Sequence, residues 1–333
     1  MMLVNNILKV YLNSRDLDSF DVSYWVSVEY IVSSLLFIGT LLLLLFLWNR
    51  YSRIKFPEKF LMEIKYLNKV IPALEKIVTK PTDEVVLDFS NVTDISEGSY
   101  MVMLAQVEKA ASHNKKVFLK ASTIKTLKVW QILTKDQRYK HKNIEINNDV
   151  LGAEFADKLY TDEVDELVEE LKKLGFTSYY QPFYDFLIEL IGNSVEHGIQ
   201  HKNINWWLWR ERDSRKKCYR YVFVDMGVGI INSYKESKML SFLRFFNKQK
   251  LLLDAFDGRL GSTTGMPGRG RGLPQIKDVV RKGLLSDFVL ITNNVSLQFK
   301  DGEFITSSNP NFVGMYCSWT ISKSNFTVWK SIQ

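Results

Sequence analysis

The sequence predicts an α/β protein preceded by one apolar helix, and three observations carry that expectation. Strand-like and helix-like runs alternate, as in Val85–Ser90, then Glu97–Ser112, then Val117–Leu119, which is the pattern of an α/β fold. A near-continuous apolar run, Ile31–Trp48, stands close to the N-terminus, and three glycine-containing motifs follow one another between residues 189 and 273. At 333 residues and 46% apolar content the chain can build two ordinary cores. The expected parts are 1–51, with a transmembrane helix at about 24–48, an α/β domain at 52–155, and a second α/β domain at 156–333.

In the first part, every residue from Ile31 to Trp48 is apolar or small, and about 20 such residues span a bilayer. Trp25, Tyr30, Trp48 and Tyr51 flank the run as an interfacial belt would. Asp16, Asp18, Asp21 and Glu29 precede it, while Arg50, Arg53, Lys55 and Lys59 follow, so the positive-inside rule places 52–333 in the cytoplasm. A single-pass membrane protein is therefore expected, the competing reading being a buried core helix. A cleaved signal peptide fits poorly, because the apolar run begins late and lacks a small-residue cleavage site. Leu3, Ile7, Leu8 and Tyr11 would share one side of a short amphipathic segment whose role is not readable.

The second part opens with an extended run at Ile54–Pro57. A helical pattern then runs to about Lys80, with Phe60, Ile64, Leu67, Val70, Ile71 and Leu74 at helical spacing. Ser96 stands where an N-cap is wanted for the Glu97–Ser112 helix. The run Thr161–Lys173 places Asp162 and Glu163 in a first turn and lysines at its end, the charge order of a helix joining two domains.

The motifs carry the chemistry. The first, Glu189-Leu190-Ile191-Gly192-Asn193-Ser194-Val195-Glu196-His197-Gly198, lies in an amphipathic helix. Phe183, Leu187, Leu190 and Ser194 share one face, and Asp185, Glu189, Asn193 and Glu196 share the other. The second, Asp225-Met226-Gly227-Val228-Gly229-Ile230, ends a strand-like run at Tyr219–Val224. The third, Gly268-Arg269-Gly270-Arg271-Gly272-Leu273, closes a glycine-rich stretch and leads into a helix with Pro274 in its first turn. A carboxylate, a metal-binding amide and a ring of backbone N–H groups suffice for phosphoryl transfer, which asks mainly for positioning and charge stabilisation. Glycines are wanted where amides converge on an anion. Between the second and third motifs, Tyr234–Phe256 reads as one helical run, with Leu240, Phe242, Leu243, Phe245 and Phe246 too apolar for a free loop.

Taken together, residues 162–325 resemble the Bergerat-type (GHKL) ATP-binding superfamily, and the His197-Gly198 pair resembles its anti-sigma-factor serine kinases. The resemblance implies a Bergerat-type α/β sandwich binding ATP and Mg2+. Glu189 would be the general base, and Asn193 would hold the metal. Asp225 would accept from the adenine amino group, with Gly227 and Gly229 letting the backbone pass close to the base. Gly268, Gly270 and Gly272 would bring amides around the phosphates, and Arg269 and Arg271 either reach phosphate oxygens or lie in solvent. The family's usual Gly-Thr pair in a late strand is Gly314-Met315 here, which makes the base pocket less polar. The stretch Val85–Leu119 resembles a STAS domain. The acceptor-serine position of that family falls at Gly98, between Ser96 and Ser99.

Two function classes follow: an ATPase or Ser/Thr protein kinase acting on a protein partner, or an ATP-gated interaction switch with little turnover. A homodimer, frequent in the superfamily, stays open. Histidine-kinase chemistry fits poorly, since none of His113, His141, His197 and His201 sits in a dimerising hairpin with an acidic neighbour. MutL-type or gyrase-type work would need a transducer domain after the ATP module. A net charge of +7 without an Arg/Lys stripe interleaved with aromatics argues against a nucleic-acid partner. The five basic residues of Arg212–Arg220 read as a solvated hairpin turn. Cys218 and Cys317, far apart in strand-like runs, indicate a reducing compartment and no disulfide framework.

Overall fold

The structure is a computed structural model that describes residues 22–120, 150–154, 161–201, 205–236, 247–260 and 272–333. It is mixed α/β. In chain order the elements are α1 (Val22–Ser52), β1 (Arg53–Lys55), β2 (Lys59–Phe60), α2 (Leu67–Thr79), β3 (Glu84–Asp88), β4 (Asp94–Ile95), α3 (Glu97–Ser112) and β5 (Lys116–Lys120). Then come β6 (Val150–Glu154), α4 (Thr161–Glu169), α5 (Gln181–His201), β7 (Asn205–Asp213), β8 (Cys218–Asp225), α6 (Ile230–Glu236) and α7 (Lys248–Phe256). The chain closes with α8 (Gly272–Arg281), β9 (Ser286–Lys300), β10 (Glu303–Ser322) and α9 (Lys323–Ser331).

The membrane-spanning helix requires correction. α1 is helical, and its side chains from Tyr30 to Leu44 are exposed, but among the described residues no helix is long and apolar enough to cross a membrane. The helix runs 31 residues, and polar side chains stand within its exposed Tyr30–Leu44 stretch. Ser33, Ser34 and Thr40 interrupt it, the Thr40 hydroxyl donating to the Phe37 carbonyl at 2.8 Å. The single-pass placement, the membrane partner and the orientation rested on this helix and fall with it. Residues 1–21, and the side chains of Trp25, Glu29, Trp48, Arg50 and Tyr51, lie outside the described residues. Met1–Arg53 and Ile54–Gln333 are two separate compact units.

The second unit is built around a five-stranded sheet of order β6-β7-β8-β10-β9, with every neighbouring pair antiparallel. Alternation along a strand sends successive side chains to opposite faces. On β8, Tyr219, Tyr221 and Phe223 enter one core, while Val222 and Val224 enter the other. On β10, Met315, Cys317, Trp319 and Ile321 enter the first and Tyr316 the second. With both faces buried, the strand sequences are apolar almost throughout, as in a central layer.

One face is covered by α4, α5, α7 and α8. Phe183, Phe186, Leu187 and Leu190 of α5 are buried there. Trp319 stacks on Tyr221 with ring centroids 5.4 Å apart and takes the edge of Phe186 at 4.8 Å. The opposite face is covered by α2 and α3, whose Val70, Ile71, Leu74, Met101 and Val102 share a core with Trp207, Val222, Ile291 and Tyr316 of the sheet. Behind these helices lies a three-stranded sheet of order β1-β3-β5, with β3 and β5 parallel. The side chain of Ser96 caps α3, accepting from the Ser99 N–H at 3.2 Å. Ser99 is fully buried, and Gly98 lies against the Tyr316 phenol.

Several expected boundaries shift. Phe60 is on β2 and Ile64 in a 3-10 turn, so the helix at their spacing begins only at Leu67. The α-helix from Thr161 ends at Glu169, and a 3-10 turn continues to Leu174, where Gly175 terminates it in the left-handed region. The single run Tyr234–Phe256 is two helices. α6 ends at Glu236, and Asn247 starts α7 afresh, its side-chain oxygen accepting from the N–H groups of Gln249 and Lys250 at 2.9 and 3.2 Å. Leu240, Phe242, Leu243, Phe245 and Phe246 lie outside the described residues. The basic run does form a turn, between β7 and β8, held by Asp213 accepting from the Arg215 and Lys216 N–H groups.

Candidate functional site

Two of the motifs meet at the start of α8. Glu189 and Asn193 stand one turn apart on α5, so their side chains project together. Gly272, the first residue of α8, lies directly against both. A Cβ built there would be 2.5 Å from Glu189 Oε2 and 2.7 Å from Asn193 Nδ2, closer than atoms tolerate. Glycine therefore permits this contact without either side chain moving aside. Among the described residues Asn193 Nδ2 is buried without a hydrogen-bond partner, an arrangement that costs roughly 1–3 kcal/mol unless something else supplies the acceptor. The first backbone N–H groups of a helix have no partner within the helix and attract anions, and those of α8 start beside this acid and amide.

The next residue on α5 reaches the second motif. Ser194, 8% exposed, donates its hydroxyl to Asp225 Oδ2 at 2.8 Å. The Gly227 N–H donates to Asp225 Oδ1 at 2.9 Å, and a backbone hydrogen bond from Met315 adds to these. Burial pushes the Asp225 carboxyl above its ordinary value of 3.8, and the three hydrogen bonds offset part of that rise. An ionised carboxylate has about four acceptor positions, so one more donor can be taken. In the sheet, Asp225 lies opposite Trp206 on β7 and Met315 on β10.

The turn after Asp225 is fixed from β9, two strands away in the sheet. Gly229 has φ of +81°, and a Cβ there would lie 2.7 Å from Asn293 Oδ1 and 2.8 Å from the Gly314 carbonyl oxygen. Asn293 is buried in the left-handed region with φ of 50°. Its Oδ1 accepts from the N–H groups of Ile231 and Asn232 at 3.1 and 3.2 Å, and its Nδ2 donates to the Val228 carbonyl at 2.9 Å. The Thr292 hydroxyl accepts from the Ile230 N–H and donates to the Gly314 carbonyl, both at 3.0 Å. Ser194, Thr292 and Asn293 were missed from sequence. The one signal was an Asn-Asn pair inside an otherwise strand-like run, which strands disfavour.

Of the expected site residues, Glu189, Asn193 and Gly272 come together, as do Asp225, Gly227 and Gly229, and Ser194 links the two groups. Gly268, Arg269, Gly270 and Arg271 lie outside the described residues, as do the side chains of Glu196 and His197. Among the described residues no group of three or more His, Cys, Asp or Glu side chains is placed to hold a metal ion. An ion at Asn193 would therefore take most of its ligands from phosphate and water, which is how Mg2+ is commonly bound. Comparison with protein-family models and with curated proteins returns no match.

Proposed function

We propose that this chain is an Mg-ATP-binding regulatory protein, an ATPase or Ser/Thr protein kinase acting on a protein partner. The observation that carries the reading is the convergence of the motifs: Gly272 against Glu189 and Asn193, with Ser194 bonded to Asp225. The family resemblance of the three motifs points the same way. Bound Mg-ATP would supply the transferable γ-phosphoryl group. Asn193 would hold the ion through Oδ1, its buried Nδ2 would donate to a phosphate oxygen, and the α8 N-terminus would face phosphate oxygens. Asp225 would take the adenine amino hydrogen on its remaining acceptor position, a bond strongest when it is ionised. Glu189 would hold the proton of an attacking water or hydroxyl.

The second reading, an ATP-gated interaction switch, draws on a different contact. Met315 lies opposite Asp225, and the next residue, Tyr316, packs on Gly98 at the start of α3. Nucleotide at Asp225 would then sit one residue from a core shared with the N-terminal helices.

Steady-state hydrolysis and transfer from γ-labelled ATP separate these readings. The enzyme reading expects Mg2+-dependent turnover that falls at least 100-fold in Glu189→Ala while ATP binding persists. Binding without turnover in the wild type would leave the switch, and turnover unchanged by Glu189→Ala would remove Glu189 from its role.

A further inference from the structure

We propose that a cavity between α2, α3 and the β10 segment at Phe312 binds a small apolar α-amino acid as its zwitterion. This site lies on the far side of the sheet from α5 and α8 and stands independently of the nucleotide reading. The cavity is about 110 Å3, room for roughly seven water-sized groups. Its walls are apolar where Ile71 and Leu74 of α2 meet Phe312, and Glu75, Gln106 and Lys109 also line it.

The polar groups are what call for a ligand. Gln106 is only 5% exposed, yet among the described residues its amide makes no hydrogen bond. The amide is therefore available to a molecule bound in the cavity. Lys109 and Glu75 face the same space with opposite charges, and among the described residues neither forms an ion pair, with each other or with any third group. Burial lowers the Lys109 pKa, with no carboxylate contributing to restore it. A cation and an anion too far apart to pair are complementary to a molecule carrying both charges at a fixed separation. An α-amino acid does so: its carboxylate meets Lys109 and the Gln106 amide, its ammonium meets Glu75, and an alkyl side chain fills the space against Ile71, Leu74 and Phe312. The volume limits that side chain to about the size of valine.

The test is isothermal titration of the full chain with L-valine, with isovalerate, which lacks the ammonium, and with isobutylamine, which lacks the carboxylate. The expected result is saturable binding of L-valine, at least tenfold weaker binding of either fragment, and at least a tenfold loss of L-valine affinity in Lys109→Met and in Glu75→Gln. No saturable binding of L-valine to the folded wild type overturns the proposal, and so does isovalerate binding as well as valine. The fragment comparison uses only wild-type protein, so the outcome does not depend on either variant folding.

Discussion

The hydroxyl of Ser194 donates to Asp225 Oδ2 across 2.8 Å, joining the helix that carries Glu189 and Asn193 to the strand that ends in the Asp225 turn. Ser194 thus ties the two motifs together although it has no assigned chemistry of its own. Ser194→Ala should cost about 1.5–3 kcal/mol of stability in urea unfolding, the usual worth of a hydrogen bond to a charged group. It should also weaken ATP binding several-fold. A variant as stable as wild type would show that the bond contributes nothing.

Gly272→Ala places a methyl group against Glu189 Oε2 and Asn193 Nδ2. Alanine favours helix over glycine by about 1 kcal/mol, so the expected result is a melting temperature near that of wild type with turnover lost by at least tenfold. Melting and activity falling together would mean that the contact is only structural.

Asn293 holds the Gly227–Ile230 turn from the far strand, with its own backbone in the left-handed region. Asn293→Gly keeps the backbone freedom and loses the side chain; Asn293→Ala loses both. Chemical denaturation should place alanine below glycine by about 1 kcal/mol, the cost of a non-glycine residue without local side-chain support in that region, and both below wild type.

The Asp225 carboxyl sets a pH dependence whose sign follows from its raised pKa. Between its ordinary value of 3.8 and the raised folded value, the folded chain holds a proton that the unfolded chain has released. Its contribution to stability is therefore greatest below 3.8 and declines as pH rises through the folded value. Asp225→Asn removes that slope, so its stability relative to wild type should rise as pH is raised above about 4 in urea titrations. ATP affinity of the wild type should run the other way, weakening as Asp225 takes up its proton.

How much of this was legible follows from range. Glu189 and Asn193 were readable because four residues make one helical turn, and the Asp225 turn because a strand stops at two glycines. Thr292 and Asn293 act on residues about 60 positions away, a distance no local pattern covers. The apolar strands were legible as strands. Their burial on both faces was not, because it depends on α2 and α3 packing behind the sheet. The Phe60 and Ile64 spacing misled, since a helical period can arise across a short strand and a turn. For α1, apolar length and its flanks predicted a membrane span, whereas among the described residues no helix is long and apolar enough to cross one.

The contact between Gly98 and Tyr316 tests that packing. A Cβ at Gly98 would run into the phenol oxygen and lie 3.0 Å from its Cε2. Gly98→Ala should destabilise by about 1–3 kcal/mol through overpacking, and by less in a Tyr316→Phe background. An equal loss in both backgrounds would place the strain elsewhere.

The central claim is that the three motifs form one nucleotide site. Equilibrium binding of ATP with Mg2+ to the full chain, comparing wild type with Asp225→Asn, addresses it most directly. The predicted result is saturable binding by the wild type and at least a tenfold loss in the variant, with both proteins folded. Absence of binding in the wild type, or equal affinity in the two, would contradict it.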